Sequence, residues 1–594
     1  MKKKHALRLR PLLATTALVS MISNVTYAEE LNDNKTTTPI KHVIVIVGEN
    51  HSFDNLFGVY KPKAGQTIDN LLSKGIVKED GTPGDHFDRA KQNIGVGTDT
   101  YQVVTKSNGN YDTGLPQPYT KGSIGQPANV LDSRFPSSLP NGPYQISKYA
   151  PYNAYTGDPV HRFFQMWQDI DGGKNDKFVW VEETIGTGSN GKPYPVGGFN
   201  PKEGAISMGF FNMNTGDAPI FKTLADDYAM SDNFHQSAMG GTGANFQALV
   251  TGDMAFFTDP NKLDGSAVIL PWANQIENPN PVAGSNNYYT QDGYSGGTYV
   301  NCADSTQPGV AAVNSQLKAQ GVNNNNCEAD HYYLVNNYNL YWNETSSVTR
   351  ALGANKFTLP PQSIPTIADV LTANKVSWKY YTADRGNDIT VFANAVDGVP
   401  LLYHSYCGIC DPLTGFSSIM TNASEEAKLQ NYGAFLADVS NSTLPAVSYV
   451  RPFEALAGHP ANSNGDQYEA FLQELINQVK NNPTLWASTA IIITTDEGGG
   501  YYDSGYVQAV DFFGDGTRVP ALVVSPFAKK GHVDHTYNDH ASILKFIETN
   551  WTLPAISNRS RDNLPNPVSH RKNPYKPVNG PAIGDLMTLF DFAK

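Results

Sequence analysis

Short runs of uninterrupted apolar, mostly β-branched residues recur along the chain at His42 to Val47 (HVIVIV), Val376 to Thr382, Ala446 to Val450, Ala490 to Thr494 and Val519 to Ser525. Runs of this length without polar alternation predict strands covered on both faces, as in a mostly parallel sheet. Between them the period lengthens to that of helices. Asp217 is placed as N-cap of PIFKTLADDYA, Asp466 of QYEAFLQELINQVK and Asp539 of HASILKFIETNW, with further helices expected over Ile367 to Asn374 and Glu425 to Val439. Strand alternating with helix predicts an α/β sandwich. Two stretches break the rhythm, about 95–155 and about 255–350. They are rich in Gly, Pro, Asn, Tyr and Ser and read as long insertions over the functional edge of the sheet.

The start of the chain follows another pattern. Lys2, Lys3, Lys4, Arg8 and Arg10 precede an apolar stretch from Pro11 to Ser23 and a small-residue site at Thr26-Tyr27-Ala28, which predicts a signal peptide over 1–28 and a single domain over 29–594. No later segment offers about 18 uninterrupted apolar residues, so no transmembrane anchor is expected and the product reads as exported, periplasmic or secreted. The formal charge of −13 becomes −18 once the five basic side chains of that segment are removed. Such a surface repels phosphate backbones, which excludes nucleic acid as a partner, and repels anionic lipid; a zwitterionic headgroup feels little net force, so transient contact with a membrane surface stays open. The four cysteines suit disulfides in an oxidising compartment. Cys302 is expected to bond Cys327, and Cys407-Gly-Ile-Cys410 is either a structural loop staple or a redox pair.

Chemistry collects where strands end. The first run leads into Gly48-Glu49-Asn50-His51, and ASTAIIITT leads into Asp496-Glu497-Gly498-Gly499-Gly500. Ligands of open α/β sheets bind at such edges. Oxygen donors from Glu49, Asn50, Asp496 and Glu497 would suit a hard to borderline cation, whereas each acid taken alone reads equally as a cap or a solvated turn. Between the two lies His235-Gln-Ser-Ala-Met-Gly-Gly-Thr242-Gly-Ala-Asn245-Phe-Gln. A hydroxyl on a glycine turn at a helix start meets free backbone N–H groups that hold anions, and a metal would lower its pKa for attack on phosphorus. The alternative reading of Thr242 is an ordinary helix cap.

Together the strings HVIVIVGENHSFDNLFG, SDNFHQSAMGGTGANFQALVTGD, AGHPANSNGDQYEAF, TTDEGGGYYD and RVPALVVSPFAKKGHVDHTYNDHASILKFIE resemble the phosphoesterase family of bacterial phospholipases C and acid phosphatases, from about Lys41 to Pro554. The resemblance implies a three-layer α/β/α sandwich of alkaline-phosphatase-like type. It implies one divalent metal on Glu49, Asn50, Asp496 and Glu497, with zinc the first expectation and calcium or manganese the alternatives, and Thr242 as nucleophile. Phosphate-binding histidines fall at His161 and His459, with His404 a third, and Asn245 is expected to donate to a phosphate oxygen. His535 and His540 read as loop and helix-cap supports. Phospholipase members often carry GPTxPNR around the nucleophile; GGTGANF is nearer the acid-phosphatase branch. The expected activity is hydrolysis of phosphoric esters through a phosphothreonine, of phospholipase C type on phospholipids. The alternatives are a broad acid phosphatase acting on small phosphate esters, or a catalytically silent, metal-stabilised surface binding protein.

Overall fold

A computed structural model describes residues 30–98, 100–184, 202–258, 276, 277, 279, 298–348, 359–386 and 406–593. The expected signal segment at 1–28 and His404 lie outside the described residues. Among the described residues eight strands form the central sheet: β1 (His42–Gly48), β2 (Ala229–Ser231), β3 (Trp378–Thr382), β4 (Leu429–Gln430), β5 (Val447–Arg451), β6 (Thr489–Thr495), β7 (Ala521–Val524) and β8 (His532–Asp534), in the order β4-β3-β5-β1-β6-β7-β2-β8. All five apolar runs are strands of this sheet. Four run parallel, but β7 is antiparallel to β6 and β2, unlike the parallel strand expected at Val519 to Ser525. Residues 496–520 carry no crossover helix, so the chain returns beside β6 in the opposite sense.

Successive residues of one strand enter different cores. Val43, Val45 and Val47 of β1 pack with Phe163 and Phe164 of α2 (Phe163–Ile170), Phe246 of α4 (Thr242–Thr251), Leu371 of α5 (Ile367–Ala373) and Ile543 of α8 (Ala541–Trp551). Ile44 and Ile46 pack with Phe53 of α1 (Phe53–Phe57), Phe221 of α3 (Pro219–Asp227), Phe435 of α6 (Tyr432–Asn441) and Phe471 of α7 (Gly465–Lys480). Period-two side chains with an apolar residue at every position therefore build a three-layer α/β/α sandwich.

The helices form where periodicity places them, with different caps. Asp217 does not cap α3: Ala218 precedes it in the left-handed region, Pro219 opens it, and the Asp217 carboxylate accepts instead from the Asn212 N–H at 2.7 Å. Asn464, not Asp466, caps α7 by accepting from the Gln467 N–H. His540, not Asp539, holds the cap position of α8, although Asp539 one residue earlier accepts the Ala541 N–H at 2.9 Å. The helix expected over Glu425 to Val439 is broken, because Leu429 and Gln430 pair with β3 and Asn431 caps a new helix, α6. Both expected insertions carry short strands of their own, and the second is tied by the Cys302–Cys327 disulfide. Among the described residues no helix is long and apolar enough to cross a membrane.

Candidate active site

β1 and β6 are adjacent and in register, Gly48 opposite Thr495, so the residues that follow them emerge side by side. Asn50 turns out of β1 in the left-handed region, which asparagine tolerates. Its backbone N–H donates to Asp496 Oδ1 at 3.3 Å, and the Glu497 N–H donates to the same oxygen at 2.8 Å. Gly499, with φ near +60°, passes so close that a Cβ there would stand 2.6 Å from that of Asn50. Glu49, Asn50, Asp496 and Glu497 thus meet at one edge of the sheet, all buried.

Thr242 is the first residue of α4 and not its cap: Gly241 occupies the cap position, and the Thr242 hydroxyl donates to Glu497 Oε1 at 3.2 Å. The helix-cap alternative is thereby set aside. The glycine turn is held by the second insertion. Asn337 Oδ1 accepts the Gly243 N–H at 2.8 Å, and a Cβ on Gly240 would lie 1.7 Å from the Val335 carbonyl oxygen. Asn245 has another task than the one expected of it. Its amide donates to the carbonyls of Ala238, Gly240 and Gly241 and its Oδ1 accepts the Ala238 N–H, so it clasps the turn instead of facing a phosphate.

The histidines divide the labour. His161 Nδ1 donates to the Pro159 carbonyl at 2.7 Å, which turns Nε2 toward Glu497 Oε1, 3.5 Å away. Burial outweighs Asp158 and lowers the His161 pKa, which favours the neutral ring, whose lone pair then lies on Nε2. Burial opposes charge on His459 as well, but Asp158 and Glu49 outweigh it and raise its pKa; its Nε2 lies 3.7 Å from Asp158 Oδ2. Asp158 joins the group, accepting from Asn50 Nδ2 at 3.3 Å and standing 3.9 Å from His161 Nδ1. Sequence reading missed it, although it lies only three residues before His161, in the stretch DPVHRFFQMWQ. Arg451, the last residue of β5, was missed too: fully buried, it pairs with Glu49 and, at 2.8 Å, with Glu454. Cys407 and Cys410 are bonded, and the Cys410 sulfur rests 3.1 Å from Glu49 Oε1. His535 pairs with Asp232 and His540 bonds the Thr495 carbonyl, both as supports.

Three side-chain oxygens decide how well a cation fits. Among the described residues Asn50 Oδ1, Asp496 Oδ2 and Glu497 Oε2 are buried with no hydrogen-bond partner. A buried oxygen left bare costs about 1–3 kcal/mol, more when charged, unless a ligand satisfies it. Burial, and then the Glu49 charge, holds the Asp496 carboxyl well above the usual range, and burial with Asp496 does the same to Glu497, eased by Arg162. These donors suit a divalent cation. Glu49 differs, since its Oε1 already faces Arg451. No closed cage of carboxylates is present among the described residues. The one tight set of potential donors there is Glu49, Cys407, Cys410 and Glu454, in which the sulfurs are a disulfide and Arg451 bridges the acids.

A model of the Phosphoesterase family matches residues 40–554. The chain belongs to that family. It is a hydrolase acting on phosphoric esters, and its relatives include both phospholipases C and acid phosphatases. "Phospholipase C B" of Mycobacterium tuberculosis is 23% identical over 583 residues, covering 94% of this chain and 78% of that protein. An acid phosphatase of Aspergillus fumigatus is 24% identical over 212 residues, 35% of this chain and 44% of that one. The crystal structure of a protein in the alkaline phosphatase superfamily from Vibrio parahaemolyticus aligns over 56% of this chain and 59% of its own at 10% identity, with a TM-score of 0.24.

Proposed function

We propose that the protein is an exported, metal-dependent phospholipase of the C type that works through a covalent phosphothreonine at Thr242. The observation that carries the reading is the Thr242 hydroxyl, fixed at a glycine-capped helix start and aimed at Glu497 beside three bare oxygens. A divalent cation held by Asn50, Asp496 and Glu497, with Glu49 beside them, supplies positive charge that offsets the charge developing on phosphoryl oxygens and lowers the pKa of a nearby hydroxyl.

The chain's own groups do the rest. Thr242 Oγ attacks phosphorus, and its proton passes to Glu497 Oε1, which already accepts its hydrogen bond. The bond from phosphorus to the glycerol oxygen breaks, and protonated His459 supplies the proton that diacylglycerol takes away. Water then attacks the phosphothreonine, giving its proton to the Nε2 lone pair of His161. The bond from phosphorus to Thr242 breaks, the headgroup phosphate leaves, Thr242 regains a proton from Glu497, and the proton held by His161 returns through solvent to His459, which restores both rings. The phospholipid substrate is favoured by the phospholipase C relative, whose similarity spans 94% of this chain, against 35% for the acid phosphatase. The glycine-rich GGTGAN turn favours the second reading, a phosphomonoesterase.

Acid quenching during turnover of phosphatidylcholine labelled in its headgroup should trap label on the peptide containing Thr242. Thr242→Ser should keep measurable turnover, whereas Thr242→Ala should lose orders of magnitude while remaining folded and metal-loaded. Near-normal turnover per folded molecule of Thr242→Ala would shift attack to a water molecule. Phosphate release from a monoester with no action on phosphatidylcholine would select the second reading, and activity undiminished by chelator would remove the metal.

A further inference from the structure

Large apolar side chains are exposed at eight places among the described residues, and three of them, Ile124, Val130 and Leu131, fall in one loop of the first insertion. They are 51%, 44% and 49% exposed. The loop, residues 119–131, is closed on itself and is not a loose excursion. Tyr119 bridges Leu131, the Thr120 N–H donates to the Val130 carbonyl at 2.8 Å, and the Thr120 hydroxyl reaches the Pro127 carbonyl. A fixed loop that holds three aliphatic side chains in water keeps an apolar surface ready for a partner.

Its position ties it to the catalytic edge. The Ile124 N–H donates to the Ala461 carbonyl at 2.9 Å, two residues beyond His459, and the Thr156 N–H donates to the neighbouring Pro460 carbonyl at 3.0 Å. Tyr119 passes so close to Gly157, next to Asp158, that a Cβ on that glycine would lie 2.4 Å from the Tyr119 carbonyl oxygen. The loop therefore walls the side of the site where Asp158 and His459 stand. Its charge narrows the choice of partner. Lys121 is the one charged side chain in 119–131, and it is paired with Glu203 at 2.7 Å. The chain as a whole is acidic, with 56 Asp and Glu against 43 Lys and Arg. An apolar loop with its lysine engaged, on an acidic protein, fits an uncharged or zwitterionic lipid surface and not an anionic one.

We infer that the 119–131 loop is the surface by which the protein docks on a zwitterionic phospholipid interface, with Ile124, Val130 and Leu131 entering the boundary between headgroups and acyl chains so that the site opens onto the lipid. The inference rests on the phospholipase reading. The test uses full-length protein and the variant Ile124→Ser/Val130→Ser/Leu131→Ser, checked for an unchanged melting temperature. Sedimentation with phosphatidylcholine vesicles and with vesicles also containing phosphatidylglycerol reads docking without turnover. Hydrolysis of long-chain phosphatidylcholine in vesicles, against short-chain phosphatidylcholine dissolved as monomers, reads its consequence. The variant should bind phosphatidylcholine vesicles about a hundredfold more weakly. It should lose vesicle hydrolysis in proportion and keep its rate on monomers. Equal vesicle binding by variant and parent would overturn the proposal. So would tighter binding of the parent to the anionic vesicles, or a patch whose only effect is on self-association measured by light scattering. Parent protein that docks through the loop but hydrolyses no phosphatidylcholine in either form would uphold docking and overturn the phospholipase reading.

Discussion

Two groups of buried carboxylates stand behind neighbouring strands of the same sheet, and they are held in opposite ways. In one, Arg518 sits at the centre of Asp503 and Asp54, with N–H···O distances of 2.8, 3.0 and 3.3 Å, and its remaining hydrogens reach the carbonyls of Asp69 and Asp232. In the other, Asp496, Glu497 and Asn50 keep bare oxygens, and the nearest fully buried arginine, Arg451, is committed to Glu49 and Glu454. The acids of both sets come from stretches that carry the family resemblance, HVIVIVGENHSFDNLFG and TTDEGGGYYD. The first is an ion network closed around Arg518 except at one bare Asp54 oxygen, and it fastens the loop after β1 to the loop before β7. The second is an open one, whose bare oxygens a bound cation would satisfy. Acidic residues in a shared motif thus separate into scaffold and site by what meets their oxygens.

The sharpest way to break this contrast is Asp496→Asn. It should lower turnover by about a thousandfold or more and weaken metal binding, since the lost charge belongs to the cation's own ligand. The metal-free variant should nevertheless melt at or above metal-free parent, because a buried, ill-matched acid has been removed. Full metal occupancy with normal turnover would show that Asp496 is scaffold. Arg518→Met should do the reverse: it strands two buried acids and should cost about 3–5 kcal/mol in denaturant unfolding, while the folded fraction keeps its metal affinity. A melting temperature within error of parent would mean that the network is decoration.

The sequence made the site more legible than the scaffold, for physical reasons. Strand ends announce themselves because an apolar run must stop where its backbone leaves the sheet, and Glu49 and Asp496 stand at two such stops. Thr242 was visible because glycines surround it. The direction of β7 was not, since β-branched residues pack equally well in either sense. Asn245 was read differently because an amide near a hydroxyl on a glycine turn is equally able to brace that turn, and only its three carbonyl acceptors show that it does so. Arg451 and Glu49 are 402 residues apart, a pairing that no local pattern carries. The helix expected over Glu425 to Val439 ignored Asn431, whose capping of α6 was readable in principle.

Arg451 tests the edge between the two groups, because it is a structural arginine touching a residue of the open set. If it positions Glu49 for the cation, Arg451→Met should weaken metal binding about tenfold in a competition titration, and Arg451→Lys should recover part of that loss. A purely structural arginine would move the melting temperature and leave metal affinity alone. Tighter metal binding in Arg451→Met would show instead that the guanidinium competes with the cation for Glu49.

The smallest expected effect lies inside the closed network, which has one acid more than its arginine can satisfy. Asp54 Oδ1 has no hydrogen-bond partner among the described residues, while Oδ2 accepts from Ser504 and Arg518. Burial, with the nearby Asp503 charge, pushes the Asp54 pKa up to about 6 against an ordinary 3.8, in spite of Arg518. Burial would also raise Asp503, but Arg518 outweighs it and holds that carboxyl below its ordinary value, so its titration falls at more acid pH. Between about pH 4 and about pH 6 the folded chain therefore keeps a proton on Asp54 that the unfolded chain has released. A folded state that binds more protons loses stability as pH rises, so this group's contribution is fully present below about pH 4 and is lost as pH climbs through about 6, on the order of 1 kcal/mol. Denaturant unfolding of metal-free protein across that window should show the decline, and Asp54→Asn, which mimics the protonated form, should flatten it by that amount. An unchanged slope in Asp54→Asn would place the proton elsewhere, with the acids of the open set the next to test by the same replacement.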